Sequence, residues 1–361
     1  MPYKVGSMFA GIGGICLGFK RNDCEIVWAN EIDKYACYTY RHNFNGAKYL
    51  IEGDIRDITH AKKINKKIKE RRKLIKIKRI ESEEDLLKRI DKEIPDIDIL
   101  NGGFPCQAFS IAGERKGFED ERGNMFFEIE KVLKAKRPQA FLLENVKNLK
   151  THDNGRTFKI IEQHLKNLGY TIKSEVLNSM THGNVPQNRE RIFIVGFLNE
   201  DIAENFSFPE AIELNRNIGD IINLNEKKND KYYYNKTKYY QDLVVEMTRQ
   251  DTLYQIRRGM YIRENRNNVC PTLTANMGTG GHNVPLVRDN YDIRKLTPEE
   301  CLLFQGFNLE EYKFPDKFFD DKGKEKVYPD SQKYKQAGNC VTVTVVERIV
   351  SNMINAIETV N

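Results

Sequence analysis

Four side chains in this sequence have the types and spacing of a site built around a nucleophile. Cys106 follows Pro105 in the run DILNGGFPCQAFS, a glycine-flanked loop just after a strand-like stretch. A structural cysteine belongs on an apolar face, whereas a thiol at the ligand edge of a sheet is a candidate nucleophile. Glu144 follows the apolar run Ala140–Leu143. A carboxyl at the mouth of such a strand is partly desolvated and can hold a proton near neutral pH. Arg189 and Arg191, in QNRER, share a face by strand alternation. Two guanidiniums there can bind phosphate or a carbonyl-rich edge. A cysteine–histidine hydrolase is a rival, but none of the six histidines directly follows a core strand.

A second group of residues reads as a ligand site. MFAGIGG, Met8–Gly14, follows the first strand-like run and lets the backbone approach a ligand closely. Glu31 ends the second such run, where a carboxylate would grip ribose hydroxyls, and Asp54 ends a third, where it could accept from an adenine amino group. Glycines with a ribose acid and an adenine acid suit an adenosine-bearing ligand such as S-adenosylmethionine. A nicotinamide dinucleotide is the competing reading, weakened because Cys16 stands at the third glycine position of GxGxxG.

The elements that must position these residues alternate. Candidate strands are Lys4–Phe9, Glu25–Asn30, Ile97–Leu100, Ala140–Leu143 and Arg191–Gly196. Helix-like patterns lie between them, among them Phe126–Ala135 and Thr157–Leu168, the latter stopped by Gly169. This predicts an α/β fold with a parallel sheet covered on both faces and ligands beyond the strands' carboxyl ends. From residue 198 the texture becomes rich in Asn, Tyr and charge, which predicts a second, smaller domain. Tyr334–Ile357 regains a strong apolar pattern, which predicts a core helix returning to the first domain.

The chain has 361 residues, 30% of them charged, with a net charge of +6. That excludes a mostly disordered chain and allows two domains. The basic character is local: residues 61–80 alone carry a net +10. Ile64/Ile68 and Leu87/Ile90/Ile94 recur at helical spacing, so a pair of charged helices is predicted for about 61–94. Seven cysteines without a CxxC pair, no long apolar run and no apolar leader point to a reducing cytoplasm, with no membrane span and no metal.

The ordered set FAGIGG, NEID, GDI, GFPCQAFS, ENV, QNRER, RKLTPEE and QAGNCV spans almost the whole chain and resembles the DNA cytosine-5 methyltransferases of bacterial restriction–modification systems. Phe104 stands where the family often has a proline, and the stretch from Asp54 to Pro105 is long because of the charged insert. The resemblance implies a Rossmann-like S-adenosylmethionine-dependent methyltransferase domain, residues 1–197 and 330–361, with a target-recognition domain at 198–329. It implies methyl transfer to carbon 5 of a flipped-out cytosine in duplex DNA through a Cys106 adduct. Glu144 would act at ring nitrogen 3, Arg191 at the base carbonyl, and Arg189 on the cysteine loop and a nearby phosphate. Phe9, Gly11, Gly13, Glu31, Ile32, Asp54, Ile55, Pro105, Asn339 and Val341 match positions that line the cofactor. Gln107, Ser110, Thr272 and Thr274 match positions that face DNA. A monomer, paired in function with a restriction endonuclease, is the expected state. A tRNA methyltransferase of the same fold is the nearest alternative.

Overall fold

The computed structural model describes residues 1–70, 73–104, 125–257, 259, 261–279 and 283–360. Pro105, Cys106, Gln107 and Ser110 lie outside the described residues.

A seven-stranded sheet runs β3-β2-β1-β6-β7-β9-β8. Its strands are β1 (Lys4–Met8), β2 (Glu25–Glu31), β3 (Leu50–Glu52), β6 (Ile99–Gly103), β7 (Ala140–Val146), β8 (Thr171–Asn178) and β9 (Glu190–Phe197). The first five pair in parallel, but β9 runs antiparallel to both β7 and β8. The parallel sheet expected from the alternation holds for these five strands and is corrected at β9. β8, which lacks a continuous apolar run and is only partly buried, had no counterpart in the strand reading.

Alternation along the central strands divides the core into two layers. In β7, Ala140 and Leu142 face one layer, and Phe141 and Leu143 face the other. Both faces are buried, so the strand reads as a continuous apolar run. One layer is closed by α1 (Gly14–Lys20), α2 (Lys34–Asn43) and α12 (Val343–Val360). The other is closed by α4 (Glu83–Glu93), α5 (Met125–Lys136) and α6 (Arg156–Asn167). Between α2 and α4 lies the one-turn helix α3 (Arg56–Thr59), and after α6 come α7 (Ser179–Gly183) and α8 (Glu200–Asn205). Gly18 in α1 lets α12 approach closely: a Cβ there would lie 2.6 Å from Val346. Against the expectation of no membrane span, Asp330–Val360 is long and apolar enough by composition to cross one. In this structure 61% of its most apolar window is buried, packed on α1, α7 and α8.

The charged insert differs from its prediction. Residues 63–80 form an antiparallel hairpin, β4 (Lys63–Glu70) with β5 (Lys73–Ile80), and only 83–93 are helical, as α4. The spacing of four between Ile64 and Ile68 suits both periods, whereas Ile75 and Ile77 suit only a strand.

A separate four-stranded sheet, order β11-β10-β12-β13, is built from β10 (Tyr254–Arg257), β11 (Tyr261–Glu264), β12 (Leu286–Arg288) and β13 (Ile293–Lys295). With α9 (Tyr240–Glu246) it encloses its own apolar cluster, including Tyr234, Leu243, Met247, Tyr254 and Leu286. Ile202, Phe206, Ile218 and Ile221 before it, and Leu296, Phe304 and Phe307 after it, join the large core instead. Two helices follow β13: α10 (Pro298–Leu303) and α11 (Asp330–Asn339). Arg294, fully buried, bonds Asp289 at 2.6 Å and Glu300 at 2.8 and 2.9 Å, tying β13 to α10.

Candidate active site

The carboxyl ends of β1, β2, β6 and β7 open onto one cavity of about 600 Å³, with the start of β9 and the end of α11 completing its wall. Phe9, Gly11, Glu31, Ile32, Glu144, Arg189, Arg191, Thr274, Asn339 and Val341 all line it. Residues far apart in the chain are therefore brought together as the sequence reading expected.

At one end, the turn after β1 is held in unusual conformations. Phe9, Gly11 and Gly13 have φ of 55°, 56° and 87°. For a bulky residue such as Phe9 this is a strained backbone of the kind that clusters at functional sites. Gly13 does not line the cavity. It caps the start of α1, and a Cβ there would lie 2.4 Å from Phe44, so the turn requires a glycine at this position. Glu31 accepts from the backbone N–H groups of Gly11 (2.8 Å), Ile32 (2.9 Å) and Asp33 (2.8 Å). Burial pushes its carboxyl above the ordinary glutamate value, and the three N–H groups oppose that shift. A carboxylate has about four acceptor positions, so one stays free for a ligand hydroxyl.

Two expected cofactor residues stand off this cavity. Asp54 is gripped by its neighbour Arg56, whose side chain bonds both oxygens at 3.0 and 2.5 Å, and this pair holds the carboxyl below its usual range. Ile55 is buried in the layer formed with α4 and α5.

At the other end, Glu144 meets Arg191 at 3.0 Å. Both are about 15% exposed, so little water screens them. Burial raises the Glu144 carboxyl above its ordinary value. Arg191 and Arg189 pull the other way. Gly103, opposite Glu144 in the β6–β7 pairing, leaves room for this carboxylate: a Cβ there would lie 3.1 Å from Glu144 Oε2.

Arg189 lies against the wall of the cavity; the cysteine loop it was expected to organise lies outside the described residues. Arg189 is 2% exposed, and it donates to the carbonyls of Leu273 (2.7 Å), Gly338 (3.3 Å) and Cys340 (2.5 Å). Burial and the neighbouring Arg191 hold it down to about 9. Through these bonds it joins the Pro271–Thr274 segment to the turn after α11. Gln187 reinforces that joint, accepting from Leu273 N–H at 3.0 Å, and Gly338 packs directly on the Thr274 backbone. Thr272 and Thr274 are exposed. Thr272 Oγ1 donates to the Asn188 carbonyl (2.5 Å) beside a smaller depression that it shares with Lys147, Asn148 and Arg191.

Asn145 was quoted within ENV but given no role. Its side chain, 3% exposed, donates to the Phe104 carbonyl at 2.9 Å and accepts from Val146 N–H at 2.8 Å. It thus fixes the last described residue before Pro105-Cys106. Lys335, 2.6 Å from Asp33 at the cavity rim, was likewise unread. The signal for Asn145 was its position beside a strand-end acid; nothing local marks Lys335.

Residues 3–355 match the family described as C-5 cytosine-specific DNA methylase. The chain is 47% identical to the type II methyltransferase M.Bsp6I of Bacillus sp. (strain RFL6) over 97% of this chain and 98% of that protein. It is 37% identical to M.NlaX of Neisseria lactamica, over 99% and 98%. It is 34% identical to M.HhaI of Haemophilus parahaemolyticus, over 96% and 92%. The S. pombe Dnmt2 methyltransferase structure shares the fold, with a TM-score of 0.66 at 19% identity and complete coverage of both chains. The sheet is that of a Rossmann-like S-adenosylmethionine-dependent methyltransferase. With a family match over nearly the whole chain and relatives matched end to end, this chain belongs to the C-5 cytosine-specific DNA methylase family, of the type II restriction–modification kind.

Proposed function

We propose that the protein methylates carbon 5 of one cytosine within a specific duplex DNA sequence, through a covalent Cys106 intermediate, and so protects host DNA from a partner endonuclease in the cytoplasm. The observation that carries this reading is the Glu144–Arg191 pair at the mouth of the cavity, one strand away from the loop that begins at Phe104.

S-adenosylmethionine fits the other end of the cavity and supplies the methyl group when bound. Glu31 would take a ribose hydroxyl on its free acceptor position, with Phe9, Gly11, Ile32 and Val341 around it. The adenine contact expected of Asp54 would require its bond to Arg56 to be shared. A cytosine must leave the helical stack to reach the cavity. The Cys106 thiolate then forms a bond to ring carbon 6. Glu144, whose carboxyl burial raises above its ordinary value, donates a proton to ring nitrogen 3, so charge does not build on the ring. Arg191 holds the base carbonyl. Carbon 5 forms a bond to the methyl group as that group's bond to the sulfonium sulfur breaks, leaving the demethylated thioether. Ring nitrogen 3 returns its proton to Glu144, and loss of the carbon 5 proton to water with cleavage of the sulfur–carbon 6 bond releases 5-methylcytosine and the thiolate. Arg189 acts as a positioning residue, joining the wall at Leu273 to that at Cys340. Residues 1–197 and 330–361 form the catalytic and cofactor domain, and 198–329 the target-recognition domain. The separate sheet between Tyr254 and Lys295 supports that division. The basic, tyrosine-rich run KYYYNKTKYY suits phosphate tracking.

A duplex carrying 5-fluorocytosine tests the chemistry, because fluorine cannot leave as a proton does. A covalent complex should form only with S-adenosylmethionine present and vanish in Cys106→Ala. A complex that survives in that variant, or one formed on tRNA and not on duplex DNA, would overturn the proposal. Bisulfite sequencing of DNA methylated by the protein then gives the target.

A further inference from the structure

Lys335 lines the cavity and takes no part in the chemistry above. It lies in α11, four residues before Asn339, which also lines the cavity. Residues i and i+4 share a helix face, so about 6 Å of α11 faces the cavity with an amide at one end and an ammonium at the other.

The ammonium is held from two sides. Asp33 Oδ2 accepts from Lys335 Nζ at 2.6 Å. Asp33 is itself fixed, because its Oδ1 accepts from the N–H groups of Tyr35 (2.9 Å) and Ala36 (3.0 Å) and so caps α2. On the other side, the short helical turn Ala275–Thr279 lies against the root of the lysine: a Cβ on Gly278 would lie 2.7 Å from Lys335 Cβ. An ammonium has three donors, so two remain beyond the bond to Asp33. The Lys335 side chain is 41% exposed and that of Asp33 27%, which places the pair at the rim.

The charges that line the cavity show what those donors can take. Glu31 and Asp33 put two carboxylates at this end. Three cations line the cavity among the described residues. Arg189 is held by three backbone carbonyls, and Arg191 stands beside Glu144 at the opposite end, which leaves Lys335. S-adenosylmethionine carries an α-carboxylate on its amino-acid tail. Set near Glu31 and Asp33 with no cation, that group would meet like charge where water is partly excluded. An ammonium with two free donors can receive it through charge-assisted bonds.

We propose that Lys335 holds the α-carboxylate of the cofactor's methionine part, with Asp33 keeping the ammonium aimed at the cavity. Lys335 then sets affinity for the amino-acid tail and leaves affinity for the adenosine part unchanged. This rests on the reading that S-adenosylmethionine fills this cavity, and the test separates the two.

Three ligands divide the cofactor: S-adenosylhomocysteine, its decarboxylated analogue, which keeps the ammonium, and 5′-methylthioadenosine, which lacks both groups. Their binding to the full chain is measured by titration calorimetry, with no DNA and no turnover. In the unchanged protein S-adenosylhomocysteine should bind about 10–10²-fold more tightly than the decarboxylated analogue, the range expected of hydrogen bonds between charged groups. Lys335→Met and Lys335→Gln both remove the charge, one keeping an apolar stem and the other a polar end. Each should abolish that preference while changing the affinity of the other two ligands less than about threefold. An equal loss for all three ligands would make the lysine a purely structural partner of Asp33 and overturn the proposal. A preference that is absent from the unchanged protein, or that survives in both variants, would overturn it as well. Failure of the unchanged protein to bind any of the three would overturn the reading of the cavity itself.

Discussion

Replacing Asn145 by alanine tests whether the cysteine loop is positioned from β7. Asn145 makes two bonds, one to the Phe104 carbonyl and one from Val146 N–H. Phe104 is 3% exposed, so its carbonyl finds no water when the amide is removed, and a buried group left unpaired costs about 1–3 kcal/mol. Val146 is 36% exposed, and water can replace its lost partner at a cost of about 0.5–1 kcal/mol. The folded state should therefore lose about 1.5–4 kcal/mol, read as a shift in urea midpoint with an unchanged slope. The functional effect should be larger than this loss implies. Phe104 is two residues from Cys106, and a misplacement of about 1 Å can cost about 10²-fold in rate. Single-turnover methylation of a short duplex should fall by about that factor, while S-adenosylmethionine affinity, set at the far end of the cavity, changes less than threefold. Asn145→Asp should do no better, because it sets a buried carboxylate against the Phe104 carbonyl and beside Glu144. A single-turnover rate within twofold of wild type in a destabilised Asn145→Ala protein would reduce Asn145 to a purely structural role.

Glu144→Gln keeps the shape but cannot give the proton, and turnover should fall by about 10²–10⁴ at unchanged cofactor affinity. Because burial raises the Glu144 carboxyl, its contribution to stability is full below the unfolded value of about 4.3 and is lost as pH rises through the folded value. The stability of wild type relative to Glu144→Gln, followed by chemical unfolding, should therefore decline with rising pH over that window; a rise would refute the raised value. Gly338→Ala would place a Cβ 2.1 Å from the Thr274 carbonyl carbon, backbone on backbone, so the protein should lose at least about 1–3 kcal/mol with a lower Tm. Arg294→Met strands the buried Asp289 and Glu300 carboxylates and should cost about 3–5 kcal/mol, measured in the same way; a loss below 1 kcal/mol would mean that the network relaxes.

What the sequence made legible follows the range of the interactions involved. β1, β2 and β7 are buried on both faces, and their apolar runs alone mark them. Phe9, Glu31 and Glu144 were readable because each stands at the end of such a run, at the mouth of the cavity. β8 was not readable: mostly half-buried, it keeps Lys173 and Glu175 within the strand and owes its place to pairing with β9. The hairpin's period was ambiguous over Ile64–Ile68, and only the pairing partner decides it. Arg189 exposes the limit of alternation as a guide. Alternation sets a side of the sheet, but three carbonyls contributed from two distant segments decide whether the guanidinium meets solvent.

The reversal of β9 shows why the site could not have been assembled from the expected parallel sheet. Arg191 is the second residue of β9, so in a parallel strand it would lie at the amino edge, a strand's length from the cavity. Running antiparallel, β9 brings its first residues to the carboxyl edge of β7, with Val146 opposite Arg191 and Glu144 opposite Phe193. Arg191 and Glu144 are then diagonal neighbours two residues apart on one face, the separation at which long side chains still meet across strands. The expected catalytic role of Arg191 and the expected parallel sheet were therefore incompatible. The acid and the guanidinium meet at one edge because β9 is reversed there. Two sheet pairings, β6 with β7 and β7 with β9, place the start of the cysteine loop, the acid and the arginine on three consecutive strands. Strand geometry thereby sets their spacing, with Asn145 and Gly103 making the local adjustments.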